Sequence, residues 1–265
     1  MRKLQRWVMQ HQRLAVIILS VIYVCGISAF LEFQIPSWIV IVVLGILYFV
    51  SLLLIPTAIN AWINEPLKAL FEQCDPYPLL REIHGIPMEK LSPQLRQTMT
   101  INYCVGLHNI GNYELAFATL SAFNIDNIPG VPPVTKVVYY NNLCAVCCCL
   151  EKFDEAEIWY TKMMQIYDGL PDNKLKKNLE SAVLSTRIEH HCYAGEYEKA
   201  LEILSTEKPK NRIGEVGLHM HLAVNYLALG KKDLARKNLQ LVIEKGNKLY
   251  AVTKAKELLA KLDAE

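Results

Sequence analysis

Residues 111–116 read Gly-Asn-Tyr-Glu-Leu-Ala, and this hexapeptide decides the fold because variants of it recur three times. The later copies are Glu-Lys-Phe-Asp-Glu-Ala at 151–156, Gly-Glu-Tyr-Glu-Lys-Ala at 195–200 and Gly-Lys-Lys-Asp-Leu-Ala at 230–235. The copies are 40, 44 and 35 residues apart. Periods of about 20 to 50 residues are typical of repeat architectures. Each copy lies between two stretches with apolar periodicity, so the sequence predicts an array of helix pairs.

Each position of the hexapeptide has a physical role in a turn between two helices. Glycine at the first position takes the left-handed conformation at a helix end at little cost, and Glu151 replaces it in the second copy. An acidic residue falls in the first turn of the next helix, where the helix dipole stabilises it. The final alanine lets the two helices approach closely. We therefore expect each copy to join two helices, and the stacked pairs to bury a continuous core.

These residues resemble the tetratricopeptide repeat, whose pattern is a small residue, then Gly-x-Tyr-x-x-Ala, then a large residue four positions beyond the alanine. The matching residues of the four copies are Cys104, Gly111, Tyr113, Ala116 and Leu120; Cys144, Phe153, Ala156 and Tyr160; Gly195, Tyr197 and Ala200; and Ala223, Gly230, Ala235 and Leu239. Ile188 departs from the pattern, and two intervals exceed the family's period of about 34 residues. The resemblance implies an all-α fold, an αα-solenoid at 94–265 whose last stretch, 249–262, is a cap helix.

The resemblance also implies a binding surface, because repeats of this family usually bind peptides on the concave face formed by the first helices. The residues that this places in the groove are Thr98, Asn102, His108, Asn141, Asn142, Ser185, Glu189, Met220 and His221. Lysine and arginine are nearly absent from this face, so a clamp for a partner's terminal carboxylate is not expected. The implied function is a protein-interaction scaffold without catalytic activity. As an alternative, the chain's own segment 75–93 fills the groove.

The first quarter of the chain differs in composition from the rest. No charged residue occurs in 14–31 or in 33–64. Because each central apolar residue favours insertion into a bilayer and no charge opposes it, we expect two transmembrane helices, at 14–31 and 38–59. The short connection 32–37 makes them a hairpin. A cleaved signal peptide is the alternative for the first stretch.

Basic residues predict the orientation of this hairpin. Those that flank the two apolar stretches are Arg2, Lys3, Arg6, Arg13, Lys68 and Arg81. Positive-inside bias then places both termini in the cytoplasm, and eight cysteines without the spacing of a disulfide framework favour a reducing compartment. The sequence thus predicts a multi-pass protein of the plasma membrane, with the lipid bilayer as a partner. Its parts are an anchor at 1–64, a linker at 65–93 and a cytosolic repeat domain.

No catalytic motif is present, since the chain lacks a Gly-rich phosphate loop, His-Glu-x-x-His and Gly-x-Ser-x-Gly. The net charge of +2 gives no reason to expect a nucleic-acid partner. Cys144, Cys147 and Cys148 share one helix face and carry ligand atoms that zinc prefers. The residues that could complete such a site are His190, His191, Cys192, His219 and His221.

Cysteine also packs as a small apolar residue, which this repeat position favours. We therefore expect no metal and no cofactor. A cysteine-dependent metal-binding or redox-sensing protein is the alternative function.

Overall fold

The computed structural model describes residues 7–8, 11–31 and 37–264, which form α-helices and connecting turns, with no β-strand in this part of the chain. The predicted all-α fold is confirmed. The helices are α1 (Gln12–Leu31), α2 (Ser37–Gln73), α3 (Tyr77–His84), α4 (Pro93–Asn109), α5 (Tyr113–Ser121), α6 (Pro133–Cys149), α7 (Phe153–Asp168), α8 (Lys174–Tyr193), α9 (Tyr197–Thr206), α10 (Arg212–Ala228), α11 (Lys232–Lys245) and α12 (Tyr250–Ala264). Short 3-10 turns occupy Met88–Lys90 and Ile125–Asn127.

The chain divides into two compact units. The first contains residues 1–66 and 85–92, and the second contains residues 67–84 and 93–265. In the first unit, α1 runs antiparallel to the first part of α2. Ser20 Oγ lies 2.9 Å from the Tyr48 hydroxyl, and a Cβ on Gly26 would lie 3.4 Å from the Leu44 side chain.

The predicted membrane location is wrong. A helix that crosses the hydrocarbon core needs about 20 residues of predominantly apolar sequence. Within the described ranges, no helix combines the length and the apolar content that a crossing requires. The spans at 14–31 and 38–59 and the multi-pass topology are therefore corrected.

Two parts of that prediction fall on residues outside the described ranges. They are the connection 32–36 and the basic residues Arg2, Lys3 and Arg6.

All four hexapeptides form the turns predicted for them. The backbone φ is +81° at Gly111, +57° at Glu151, +75° at Gly195 and +70° at Gly230. In each turn, the next residue donates its amide to the carbonyl five residues earlier, at 2.8–3.0 Å. These pairs are Asn112 to Leu107, Lys152 to Cys147, Glu196 to His191 and Lys231 to Tyr226. This pattern is the Schellman motif, which satisfies helix-terminal carbonyls and favours glycine in the left-handed position.

The alanines that end the hexapeptides are fully buried. Ala116, Ala156, Ala200 and Ala235 each have 0% of their surface exposed. They lie in the first turn of the second helix, which packs against the first helix of the same pair. The pairs are α4 with α5, α6 with α7, α8 with α9, and α10 with α11, and α12 packs on α11. An apolar cluster joins the first two pairs around Leu107, Leu143 and Met163.

Helix α3 belongs to the second unit, whereas the sequence pattern predicts a linker at this position. Leu79 and Ile83 are buried. A Cβ on Gly106 of α4 would lie 2.8 Å from Leu80 Cδ2, so the two helices are in close contact. Segment 67–84 is therefore part of the packed helical array.

The turn between α11 and α12 contacts the start of the second unit. Lys248 Nζ lies 2.6 Å from Asp75 Oδ2, and the Lys248 amide donates to the Cys74 carbonyl at 3.2 Å. Asn247 Nδ2 donates to the Gln73 carbonyl at 2.7 Å. These contacts hold the turn before α12 against the end of α2. Tyr250 of α12 contacts Tyr113 of the first pair, and a cleft lies beside this contact.

Candidate functional site

A cleft of about 560 Å³ lies where the first helices of the pairs meet α12. This volume falls within the range of about 300–1,000 Å³ that is usual for ligand sites. The residues that line it are His108, Asn109, Gly111, Tyr113, Glu114, Cys149, Ser185, Glu189, Ile213, Val216, Gly217, Met220, His221, Leu249, Tyr250, Ala251 and Lys254. All of them belong to the second unit.

Helical spacing explains why these residues share one surface. Ser185 and Glu189 lie four positions apart on α8, so their side chains project from the same face. Helix α10 contributes Val216, Gly217 and Met220 by the same rule. Helices α4 and α6 contribute residues from their carboxyl-terminal turns, next to the hexapeptide turns that fix where these helices end.

Aromatic rings form one wall of the cleft. The rings of Tyr113 and Tyr250 meet edge to face, with centroids 5.8 Å apart. The imidazole of His108 lies 5.3 Å from the Tyr113 ring. Tyr250 packs directly on the Gly111 turn, because a Cβ on Gly111 would lie 2.5 Å from the Tyr250 ring. The first turn of α12 therefore completes the cleft.

The central acid of the cleft is Glu189. Its Oε1 lies 3.9 Å from His221 Nε2, beyond hydrogen-bond distance, and its Oε2 is buried without a hydrogen-bond partner. The same His221 nitrogen lies 3.1 Å from Ser185 Oγ. Burial raises the pKa of Glu189 to about 7, because the interior disfavours a carboxylate that lacks a compensating charge.

The histidines of the cleft are held in the neutral form. Burial lowers the pKa of His108 to about 4 and that of His221 to about 4. Cys149 Sγ lies 3.6 Å from His108 Nε2, and burial raises the pKa of this thiol to about 12. A reactive cysteine needs a lowered thiol pKa and a cationic or basic neighbour. The Cys149–His108 contact therefore lacks the properties of a nucleophilic pair.

The structure brings five of the predicted groove residues into the cleft. These are His108, Ser185, Glu189, Met220 and His221. The other four, Thr98, Asn102, Asn141 and Asn142, do not line it.

Hydrogen bonds occupy three of those remaining side chains, two within a helix and one between helices. Thr98 donates to the Gln94 carbonyl at 3.1 Å, and Asn142 donates to the Val138 carbonyl at 2.7 Å. Asn141 accepts a hydrogen bond of 2.8 Å from Thr186, which joins α6 to α8. Asn141 is therefore a contact between helix pairs.

Sequence reasoning missed most of the residues that line the cleft, among them Tyr113, Gly217, Tyr250 and Lys254. The repeat pattern places Tyr113 in a turn and both Tyr250 and Lys254 in a cap helix, so neither region is expected to line a binding surface. Gly217 carries no side chain, and only its position on α10 identifies it. The repeat pattern predicts contacts between neighbouring pairs and gives no signal that α12 contacts the first pair.

The cysteine cluster is part of the core. Cys144 and Cys147 are fully buried and pack with Ala156, near Trp159 and Tyr160. Burial raises the pKa of Cys147 to about 12. In the described part of the chain, no three histidine, cysteine, aspartate or glutamate side chains are grouped so that they could hold a metal ion.

The histidines that the sequence offers as zinc ligands have separate partners. His190 Nε2 lies 2.8 Å from Glu157, and His191 Nδ1 lies 2.7 Å from Glu196. His219 Nδ1 lies 3.0 Å from Asn238 Oδ1. Each of these three histidines therefore has its own hydrogen-bond partner, and the three do not share a common site.

Comparison of the chain with protein-family models, with curated proteins and with solved structures finds no match in any of the three. A function is therefore inferred from the residues of the cleft.

Proposed function

We propose that this chain is a protein-interaction scaffold of tetratricopeptide-like helix pairs, without catalytic activity of its own, and that its partner binds in the cleft. The observation that carries this proposal is the composition of the cleft. The first helices α4, α6, α8 and α10 all line it, together with α12. Such a surface arises from stacking of the pairs, and stacked helical repeats use their concave surfaces for binding.

The repeat architecture is supported by the four hexapeptide turns. Each has a left-handed residue, a Schellman hydrogen bond and a fully buried alanine at the same position. Four copies of one local geometry, each joining two packed helices, are the building unit of an αα-solenoid. The recurrence of backbone geometry supports the resemblance to the tetratricopeptide repeat better than the sequence pattern does, because the spacing between copies varies.

The chemistry of the cleft favours binding over catalysis. His108 is neutral and partly shielded, and the Cys149 thiol beside it resists ionisation. The polar groups alternate with Val216, Met220 and Leu249. Ligand sites typically combine an apolar lining with a few polar groups that fix orientation. The alternative, a cysteine-dependent metal or redox protein, has no supporting observation among the described residues.

Gly217 provides a direct test, because it lines the cleft and a Cβ built on it meets no atom within 4 Å. Gly217→Leu therefore places a side chain in the cleft without displacing the backbone. Gly217→Ala is the matched control. It also replaces glycine with a good helix former, but its side chain has one carbon atom whereas that of leucine has four. We expect crosslinking of the full-length chain in cells to capture a specific protein with the unchanged chain and with Gly217→Ala.

The leucine variant should lose that protein while keeping the same circular dichroism spectrum. Capture that is equal for the leucine and alanine variants would show that the partner does not enter the cleft. In that case the proposal of a scaffold that binds its partner in the cleft fails.

A further inference from the structure

Glu189 is a half-buried acid whose buried Oε2 has no hydrogen-bond partner, and no cation in the described part of the chain pairs with it. The His221 imidazole, 3.9 Å away, is neutral and shares its Nε2 with the Ser185 hydroxyl. Lys254 also lines the cleft, but its Nζ lies 3.8 Å from Glu257 one turn along its own helix. Buried charges in proteins are usually paired, and an unpaired one is costly. Glu189 therefore has the environment of a group whose counter-ion comes from a ligand.

Burial raises the pKa of Glu189, and no neighbouring cation among the described residues offsets this effect. The titratable groups that face it are His108 from α4, Tyr113 from α5, Cys148 and Cys149 from α6, Cys192 from α8 and His221 from α10. Each is neutral at pH 7. Burial raises the pKa of Tyr113, Cys149 and Cys192 and lowers the pKa of both histidines, and a hydrogen bond with Cys144, together with burial, raises the pKa of Cys148. Lys254 of α12 is the lysine that lines the cleft, and it is half-exposed and lies 3.8 Å from Glu257, so Glu189 has no counter-ion among these groups.

We propose that the cleft binds an alkylammonium group, with Glu189 as its counter-ion and the rings of Tyr113 and Tyr250 beside its alkyl chain. This inference rests on the proposed function, since it identifies the group as a lysine side chain of the protein partner. A free alkylamine is the other source of the same chemistry. Anionic and uncharged groups of equal length are excluded from this role.

The shape and polarity of the cleft fit this group. An ammonium ion donates three hydrogen bonds, and the cleft offers the Glu189 carboxylate and the Ser185 hydroxyl as acceptors. Charge-assisted bonds of this kind are about twice as strong as neutral ones. The Tyr113–Tyr250 pair offers aromatic surface, which attracts cations as well as methylene groups. The volume of about 560 Å³ accommodates a single extended side chain with part of its backbone.

Binding of a cation has a proton signature. Because the pKa of Glu189 is about 7, about half of the molecules carry a protonated Glu189 at pH 7. An ammonium ligand stabilises the carboxylate, so binding releases about half a proton per site. An anionic ligand would have the opposite effect and take up protons. The sign of the proton exchange therefore distinguishes the charge of the bound group.

The experiment is titration calorimetry of the full-length chain at pH 7, in two buffers with different ionisation enthalpies. The probes are the acetylated and amidated pentapeptide Ala-Ala-Lys-Ala-Ala, its norleucine and glutamate counterparts, and n-pentylamine. We expect the lysine peptide to bind with proton release. The norleucine peptide should bind at least about tenfold more weakly, since a hydrogen bond to a charged group contributes about 1.5–3 kcal/mol. The glutamate peptide should not bind.

Two variants make the test specific for Glu189. Glu189→Gln keeps the shape and removes the charge, so affinity for the lysine peptide should fall about tenfold or more and proton release should disappear. Glu202→Gln removes an exposed acid of α9 that does not line the cleft and should change affinity less than about threefold, because exposed charges contribute little. Tighter binding of the lysine peptide than of n-pentylamine assigns the group to a protein partner; the reverse order assigns it to a free amine.

Several results would overturn the inference. They are no binding of either amine at millimolar concentration, equal affinity for the lysine and norleucine peptides, or unchanged binding by Glu189→Gln. The scaffold proposal is tested separately by Gly217→Leu. If the partner captured in cells depends on Gly217 but not on Glu189, the scaffold stands and the ammonium site does not. If capture of the partner is unchanged by Gly217→Leu, the scaffold proposal and the ammonium site both fail.

Discussion

The ring of Tyr250 lies against the backbone of Gly111, although 139 residues separate them in the sequence. A Cβ on Gly111 would lie 2.5 Å from Tyr250 Cγ, which is too close for any side chain. Gly111 also has a φ of +81°, in the left-handed region. One glycine therefore meets two requirements, the turn that ends α4 and the close approach of α12. The second requirement is what joins the last helix to the first pair.

Gly111→Ala should destabilise the chain more than Gly195→Ala. Both glycines have positive φ, +81° and +75°, so an alanine at either site is strained by about 1–2 kcal/mol. A Cβ on Gly195 meets nothing within 4 Å, whereas one on Gly111 overlaps Tyr250. Overpacking adds about 1–3 kcal/mol. Chemical denaturation of the two variants and the unchanged chain should give this order.

Tyr250→Ala provides the control for that comparison. Combined with Gly111→Ala, it should remove the overlap, so the additional cost of Gly111→Ala falls toward that of Gly195→Ala. Equal destabilisation by the two single glycine variants would contradict the contact between α12 and the first turn.

The buried alanine of each hexapeptide should not tolerate a larger side chain. Ala116 is fully buried where α5 meets α4, while Ala118, two positions later on the same helix, is exposed. Ala116→Leu should lower the free energy of unfolding by about 1–3 kcal/mol or more, because the helices must separate. Ala118→Leu should change it by less than about 0.5 kcal/mol. Thermal unfolding measured side by side distinguishes the two, and equal melting temperatures would rule out the close packing.

Local physics explains which parts of the fold could be predicted from the sequence. Glycine in a left-handed position and alanine at a close contact leave a recognisable pattern, so the four turns and the all-α fold follow from residues 111–116 and their copies. The left-handed conformation of Glu151 can also be predicted. Its residue type does not favour that conformation, but it occupies the position that glycine has in the other copies of the hexapeptide.

The errors come from properties that depend on distant parts of the chain. The apolar content of residues 14–59 predicts membrane spans, and the helices that form there do not meet that requirement. Asn141 lies on the expected face of α6, but its side chain contacts Thr186 of the next pair. The contact of Tyr250 with Gly111 depends on how far four pairs turn in space, and no local pattern specifies that angle.

Thr186→Val should destabilise the contact between the second and third pairs. Thr186 is buried, with 2% of its surface exposed, and its hydroxyl donates to Asn141 Oδ1 at 2.8 Å. Valine keeps the shape and leaves the asparagine oxygen without this donor, so we expect a loss of about 1–2 kcal/mol. Thr98→Val is the control, since Thr98 is exposed and bonds only within its own helix. Urea denaturation should show a change below about 0.5 kcal/mol for Thr98→Val, and a similarly small change for Thr186→Val would contradict the bridge.

Glu189 should make the second unit less stable as the pH rises toward neutrality. Its pKa is about 7 in the folded chain, compared with an ordinary value of 4.5. Between these values the folded state binds more protons than the unfolded state, so the free energy of unfolding falls with increasing pH. His108 and His221 have the opposite effect, because their pKa values are lowered from 6.5 to about 4 and the unfolded state then binds more protons. The contribution of Glu189 is therefore seen only in a comparison of variants.

Glu189→Gln isolates that contribution, because glutamine does not titrate. The difference in free energy of unfolding between Glu189→Gln and the unchanged chain should shift in favour of the variant from about pH 4.5 to pH 7 and stay level above that. Met220→Leu, an uncharged change of similar volume in the same cleft, should give a difference that does not vary with pH. Denaturation curves at pH 5, 6, 7 and 8 measure both differences. If the two variants show the same flat dependence, the Glu189 carboxyl is not held in its protonated form by the cleft, and the proton release expected on binding an ammonium group loses its source.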